Sequence, residues 1–418
     1  MNSKGVDLTG IAWVQLCAVD VFGSTHAMLL PASRFSAAVA GGELFDGSAL
    51  EGRGRLIETD MRLRPDPGSL IRLGGGLARV ECMVLDASGA PWPGDPRNAL
   101  ARAVEQTRPV GAEYRASAEL EFYLLDADGL PVDEGGYFDQ SEDLGMRIAR
   151  DAADRLAGFG VAIESVHHEA GPGQYELDLP SLPALALADA IILAKRTIRE
   201  TAEAADVRAT FMPRPLAGEA GSGLHLHQRV GTRLARPDGE LTDEGRHFLA
   251  GQLEHARALT ALAAPTVNSY KRLHSGPEAP AAAVWARVNR GALLRLSPNM
   301  AGGPTLEFRA ADPSANPYTL IAALIVAGEA GMRAGLELAP AYEEEADGFD
   351  PAAHDSARFE LLPRDLDEAM AALLVDDVVV DAFDSQLISR LADGRRAEAA
   401  EYRAQVTPWE IERYVDQA

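Results

Sequence analysis

Glu119 and Glu121 alternate with apolar residues in Ala118-Glu119-Leu120-Glu121-Phe122-Tyr123-Leu124-Leu125. In an extended strand a period of two places both carboxylates on one face. Two like charges in a run that otherwise reads as buried need a cation. The same alternation recurs in Leu224-His225-Leu226-His227 and in Leu306-Glu307-Phe308-Arg309, so three strands could share one polar face. His167-His168-Glu169 and Glu176 add two carboxylates on either side of the turn Gly171-Pro172-Gly173. A ligand set rich in carboxylates and poor in imidazoles suits Mg²⁺ or Mn²⁺ better than Zn²⁺, and phosphoryl transfer is the natural use of several such cations. For one pair alone, a solvated face or a structural ion pair explains the pattern as well. Four such segments in one chain weigh toward a metal site.

These residues need elements to hold them. The first hundred residues read as strands and turns: Gly10 to Val19 and Leu77 to Leu85 are apolar runs, Ala27 to Leu30 is a shorter one, and Pro65, Pro67, Pro91, Pro93 and Pro96 punctuate the rest. Helical periodicity begins after a boundary near Gly94-Asp95-Pro96. It covers Arg97 to Gln106, Asp143 to Phe159, Ala184 to Ala205 and, behind the capping Thr242, Asp243 to Ala264. Asn316 followed by Pro317 is a helix start signal, and the apolar run Tyr318 to Met332 behind it is too short for a membrane span and reads as a buried helix. The whole is an α+β pattern divided into 1–95 and 96–418.

The chain has 418 residues and a formal net charge of −24. It is long enough to bury a large core and too acidic to favour nucleic acid or an anionic membrane surface. Only Cys17 and Cys82 are present, so no disulfide framework is indicated and a reducing, cytoplasmic setting is the default. Met1 to Gly10 lacks the apolar core of a signal segment.

Eight motifs then fall into one order: Phe45-Asp46-Gly47-Ser48; the Glu119/Glu121 strand; His167 to Glu176; Gly221-Ser222-Gly223 with the His225/His227 strand; Asn268-Ser269-Tyr270-Lys271-Arg272-Leu273; Glu278-Ala279-Pro280; Asn289-Arg290; and Glu307-Phe308-Arg309 ahead of Asn316-Pro317-Tyr318. They resemble the glutamine synthetase family and its γ-glutamyl-amine ligase relatives nearly end to end. The resemblance implies an N-terminal β-grasp domain and a catalytic domain whose curved antiparallel sheet forms part of an active-site funnel. It also implies that adjacent subunits of a homo-oligomer, a dodecamer of two hexameric rings, complete that funnel. By the same resemblance Glu121, Glu169 and Glu176 hold a cation near the glutamate and ammonia sites, while Glu119, His225 and Glu307 hold one at the nucleotide phosphates, with Mg²⁺ or Mn²⁺ as the metal. Arg290 and Arg295 match arginines around the transferred phosphate and the ATP nucleotide. Gly221, Arg272 and Arg309 match positions facing glutamate, and Glu164 and His227 resemble nucleotide contacts. Asp46 matches the carboxylate that deprotonates ammonium, and Glu278 the flap residue that shields the acyl phosphate from water. The implied chemistry has ATP phosphorylate the γ-carboxylate of glutamate, so that an amine or ammonia can displace phosphate.

Several positions depart from that pattern. Ala220 stands where Asn usually precedes Gly-Ser-Gly, Thr305 where Arg commonly precedes the Glu307 strand, and Arg229 where Ser often follows the second histidine. The loop from Ser297 to Pro304 lacks the usual basic residues, and Phe359 and Glu360 stand in place of the tyrosine used for regulatory adenylylation. These departures point to a specialised paralogue that makes a γ-glutamyl amide from an alkylamine, polyamine or amino alcohol, with ammonia as the main alternative. A catalytically silent scaffold is disfavoured because the metal and arginine positions are filled. A hydrolase is disfavoured because such sites seldom gather four arginines around an anion. His167 and His168 read as ordinary histidines, and Trp409 and Tyr414 as packing residues.

Overall fold

The computed structural model describes residues 6–50, 60–140, 142–274, 279–297, 303–343 and 359–417. Strands β1 (Trp13–Val19), β2 (Thr25–Pro31), β3 (Glu43–Asp46), β4 (Asp60–Pro65), β5 (Ile71–Gly74) and β6 (Leu77–Leu85) build an N-terminal sheet in the order β2-β1-β6-β4-β3, with β5 also on β6. β1 and β6 run parallel, and the other pairs are antiparallel. Alternation sets its inner face: Val14, Leu16, Val80 and Val84 are wholly buried and pack with Phe35 of the short helix Phe35–Gly41.

Beyond Asp95, whose side chain caps the helix Pro96–Gln106, the chain builds a second sheet. Its strands are β7 (Tyr114–Leu125), β8 (Ser165–His168), β9 (Gln174–Pro183), β10 (Arg208–Thr210), β11 (Leu224–Val230), β12 (Trp285–Ala286), β13 (Leu294–Ser297) and β14 (Thr305–Phe308). They lie in the order β12-β13-β14-β11-β7-β9-β8, with β10 on the far end of β7. Every pairing but β12 with β13 is antiparallel. A register irregularity between Ala116 and Ala118 of β7 bends the sheet into its curl. One face is largely apolar: Leu120, Phe122, Leu177, Leu179, Leu224, Leu226 and Phe308 have no solvent exposure, and the buried Gln228 on it is hydrogen-bonded to Gln252. The helix Ala184–Glu203 lies against β7 and β9 on that side, and the helix Pro317–Ala334, capped by Asn316, belongs to the same core. Each such Leu or Phe contributes about 1.5–3 kcal/mol by burial. A one-residue slip would therefore drive the acids of the opposite face into the core, and the register is strongly specified.

The helix expected from Asp243 to Ala264 is in fact two, Asp243–Glu254 and Ala256–Ala263. The break falls at His255, which leaves helical geometry with φ −97° and ψ 13° and sets its Nδ1 2.7 Å from Asp376 Oδ2. Trp409 and Tyr414 are also corrected. On the terminal helix Pro408–Tyr414 they meet each other edge-on but are 60 % and 49 % exposed in the single chain.

Candidate active site

Paired residues on neighbouring strands face the same side of a sheet, so the register assembles the polar face row by row. Arg295, Glu307 and His227 form one row across β13, β14 and β11. His225, Glu119 and Asp178 form the next across β11, β7 and β9. Glu121, Glu176 and His167 form a third across β7, β9 and β8. The spacing of Glu119 and Glu121 thus puts them in adjacent rows of one continuous surface.

Glu119, His225 and Glu307 bring ligand atoms within 4.8 Å of one another. Glu119 Oε2 lies 2.9 Å from His225 Nδ1, and its Oε1 lies 2.7 Å from His227 Nε2. Burial would raise the Glu119 carboxyl, but these two histidine hydrogen bonds hold it well below the usual carboxylate range. Glu307 has no exposure; Arg295 Nε donates to it at 2.5 Å and Arg309 Nη1 donates to its other oxygen. Against the burial that would raise it, the charge of Arg309 and then of His227 keeps Glu307 ionised. Burial, followed by the charge of Arg309, pushes His225 down to about 4, leaving a neutral imidazole suited to ligation. Thr305, one of the departures, sets its Oγ1 3.2 Å from His227 Nδ1 and so fixes the ring that meets Glu119.

A second trio, His167, Glu169 and Glu176, is as tight. His167 Nε2 is 3.1 Å from Glu176 Oε1. The reading of His167 as an ordinary histidine is therefore corrected. Its signal was available, since β8 pairs it directly with Glu176. His168 is the structural one, buried with Nε2 2.9 Å from Asp133. Glu121, expected beside Glu169 and Glu176, turns toward the loop: its Oε2 accepts from Gly223 N at 2.8 Å and Gln174 Nε2 at 3.2 Å, while Oε1 is 3.9 Å from His225. Burial raises the Glu121 carboxyl. Burial and then the charges of Glu119, Glu121, Asp178 and Glu169 push Glu176 up to about 12. A third group, Glu119, Glu176 and Asp178, bridges the two trios. Acids crowded this closely under burial call for positive charge.

Arg272 reaches in from the helix Val267–Leu273. Its Nη1 and Nη2 donate to the Ala310 and Arg309 carbonyls at 3.1 Å, and Nη2 lies 3.4 Å from His225 Nε2. Gly221 and Gly223 line this arginine closely. A Cβ on Gly223 would meet His225 Nε2 at 2.5 Å and Arg272 Nη2 at 2.8 Å, and one on Gly221 would meet Arg272 Cγ at 2.7 Å. Arg309 Nε holds the Arg290 carbonyl at 2.7 Å. Glu164 sits exposed just ahead of β8, donating its N–H to Asp178 O at 2.9 Å. Arg229 donates to the carbonyls of Gly303 at 2.5 Å and Pro304 at 3.3 Å, which ties the loop before β14 to β11. Asp46 ends β3 in the other sheet, where its carboxylate accepts from Ser48 N and Oγ, both at 3.0 Å. Glu278 lies outside the described residues.

Sequence reasoning passed over three further residues. Gln174 continues the period of Glu176 and Asp178 along β9. Its Nε2 donates to Glu121 and, at 3.1 Å, to the Gly221 carbonyl, while its Oε1 accepts from Gly171 N at 2.9 Å. Phe138, at φ +59°, stacks on His167 with ring centroids 4.5 Å apart, and Tyr137 meets the same imidazole edge-on at 6.1 Å. The Gly135-Gly136 pair ahead of them was the available cue for a special turn.

Residues 10–86 match the β-grasp domain of glutamine synthetase, and residues 93–414 match its catalytic domain. The chain belongs to the glutamine synthetase family. It is 38 % identical over 436 residues to the glutamine synthetase of Halobacterium salinarum, spanning 98 % of this chain and 95 % of that one. With the Thermus thermophilus glutamine synthetase it shares 34 % identity, over 99 % and 97 % of the two chains. Among solved structures, GmaS in complex with ADP superposes with a TM-score of 0.87 at 28 % identity, covering 97 % of each chain. The glutamine synthetase of Plasmodium falciparum shares the fold with a TM-score of 0.86 at 20 % identity, over 98 % and 96 % of the chains. This family member is thus a carbon–nitrogen ligase that uses ATP and a divalent metal. Its donor set of carboxylates with few imidazoles fits a hard cation. Among the described residues no helix is long and apolar enough to cross a membrane.

Proposed function

We propose that the chain joins the γ-carboxylate of glutamate to an amine larger than ammonia by way of γ-glutamyl phosphate, with Mg²⁺ as the working metal and Mn²⁺ able to replace it. The ligase reading rests above all on the face that gathers Glu119, His225 and Glu307 beside His167, Glu169 and Glu176. The first three would hold one cation; Glu169 and Glu176, with Glu121 or His167, would hold the other. Once bound, the cations neutralise phosphate oxygens during transfer. Arg295 and Arg290 take the phosphate and nucleotide side with His227 and Glu164, while Gly221, Arg272 and Arg309 take glutamate. Guanidinium forks suit both anions.

In the first step a γ-carboxylate oxygen attacks the terminal phosphorus of ATP and ADP departs. In the second the amine nitrogen attacks the acyl carbon, phosphate leaves with the bonding pair, and the nitrogen gives up its proton to a carboxylate. Asp46 of a neighbouring subunit and Glu278 are assigned to that proton handling. The assembly is a homo-oligomer of two hexameric rings in the cytoplasm, each subunit divided at residues 95 and 96.

Two observations favour a larger amine. Ala220 puts a methyl where an amide is usual, with its carbonyl held by Tyr123 Oη at 2.7 Å. Tyr137 and Phe138 leave aromatic surface 50 % and 61 % exposed beside His167, which is grouped with the Glu169 and Glu176 carboxylates. An alkylammonium ion fits that combination, its charge on the carboxylates and its chain on the rings. The names of the curated relatives favour ammonia as the second reading. An amine panel with glutamate, ATP and Mg²⁺, read by phosphate release and product mass, separates the two. An amine should exceed ammonia in kcat/KM by about 10- to 200-fold. If ammonia leads at matched free-base concentration, the enzyme is a glutamine synthetase and the larger-amine reading fails.

A further inference from the structure

A second charged cavity lies away from the acidic face, at the seam where the N-terminal sheet meets the helix Ala184–Glu203. It encloses about 620 Å³, and its charged lining is Arg79 of β6 with Lys195, Arg196 and Arg199 of that helix, four cations against the two carboxylates of Glu200 and Glu203. In a chain of net charge −24 this is a local reversal of sign. Its neutralisation from within is incomplete. Arg196 donates to Glu200 and to Gln15, each at 2.6 Å, and Glu200 also receives Arg155 at 3.1 Å, so that carboxylate is fully engaged. Arg79 gives its Nε to Glu81 at 2.6 Å, yet its buried Nη2 has no hydrogen-bond partner among the described residues.

Lys195 and Arg199 stand one turn apart on one helix face, where like charges repel. Both lie over the Phe211 ring, at 5.5 Å and 4.7 Å from its centre, and among the described residues neither forms an ion pair. Burial, then the charge of Arg199, pushes Lys195 down to about 8. Lys195 is desolvated beside the like charge of Arg199, which the charge of Asp312 only partly offsets, and a bound anion would offset the rest. We propose that the seam cleft binds a phosphoryl-class dianion, either free phosphate or a phosphomonoester. Its occupancy is coupled to the arginines facing glutamate. Lys195 Nζ donates to Pro313 O at 2.5 Å, and the same short segment supplies the Arg309 and Ala310 carbonyls that Arg272 holds.

The test is calorimetric titration of the full-length enzyme, without ATP or divalent metal, using inorganic phosphate in one arm and glycerol 3-phosphate in the other. Arg199 is exposed, so Arg199→Ala removes the contact without a core change. Arg295→Ala serves as the control for binding on the acidic face. Wild type and Arg295→Ala should share one site per chain, which Arg199→Ala weakens at least about 10-fold and Arg199→Lys largely restores. The tighter of the two ligands identifies the source of the phosphoryl group. Phosphate should also shift the glutamate KM of wild type and leave that of Arg199→Ala unmoved. Identical isotherms for wild type and Arg199→Ala overturn the proposal. So does half-saturation only above about 10 mM, which would mean an adventitious ion only.

Discussion

Two guanidinium groups and the neighbouring His227 keep Glu307 ionised at zero exposure, which makes it the carboxylate whose neutralisation should be felt most. Glu307→Gln preserves shape but leaves Arg295 and Arg309 without their countercharge in a dry site. Breaking one side of such an arrangement costs about 3–5 kcal/mol. Urea unfolding of the metal-free protein should show that loss, and ligation should fall by more than about 100-fold. Unchanged stability would mean that the two arginines find other partners. Gln174 poses a different question, because it touches Glu121 and two loops without being a charge itself. Gln174→Leu keeps the volume and removes the donors, so Glu121 and the Gly221 loop lose their common brace. The expected result is a glutamate KM raised about 10- to 100-fold with a smaller change in kcat. An unaltered KM would reduce Gln174 to a packing residue.

At the scale of elements, period-two alternation was legible wherever a strand has one wet and one dry face. β6 runs from Leu77 to Leu85 as expected, and the Glu119/Glu121, His225/His227 and Glu307/Arg309 segments meet on one surface of one sheet. What alternation cannot give is which strands are neighbours, and that decided the chemistry: His167 joins the acids only because β8 pairs with β9. Capping signals were equally legible, with Asn316 and Thr242 both accepting from the first turns of their helices. The break at His255 was not, because its cause is a tertiary hydrogen bond to Asp376 from far along the chain. That contact has a pH signature. Burial would raise the Asp376 carboxyl, but the His255 hydrogen bond and then the Val379 N–H hold it below its ordinary value. A carboxylate with a depressed folded pKa stabilises above its unfolded pKa, and the contribution disappears as pH falls through the folded value. Asp376→Ala should therefore lose about 1.5–3 kcal/mol at neutral pH, with the gap to wild type closing as pH drops from about 5 toward 3. A gap that stays constant over that range in urea titrations would assign the loss to packing.

At the scale of the whole molecule, the residues assigned to the reaction belong to two different sheets. Asp46 closes β3 of the N-terminal sheet, whereas Glu307 and its neighbours lie on the catalytic sheet. The N-terminal sheet also carries Trp13, Leu29 and Leu44 at 48–56 % exposure, apolar area of the kind that subunit contacts cover. If each site takes Asp46 from one subunit and Glu307 from the next, two dead variants can cure each other. Asp46→Ala chains retain Glu307, and Glu307→Ala chains retain Asp46. In a closed ring assembled from equal amounts of both, about a quarter of the junctions place an intact Asp46 beside an intact Glu307. Mixed assemblies should then recover about a quarter of wild-type turnover, although neither parent exceeds background. The measurement requires co-assembly shown independently, for instance by two affinity tags drawn through sequential columns, followed by the amide-forming assay on the doubly tagged fraction. Doubly tagged particles no more active than their parents would place Asp46 and Glu307 in sites formed within single chains, or remove Asp46 from the reaction.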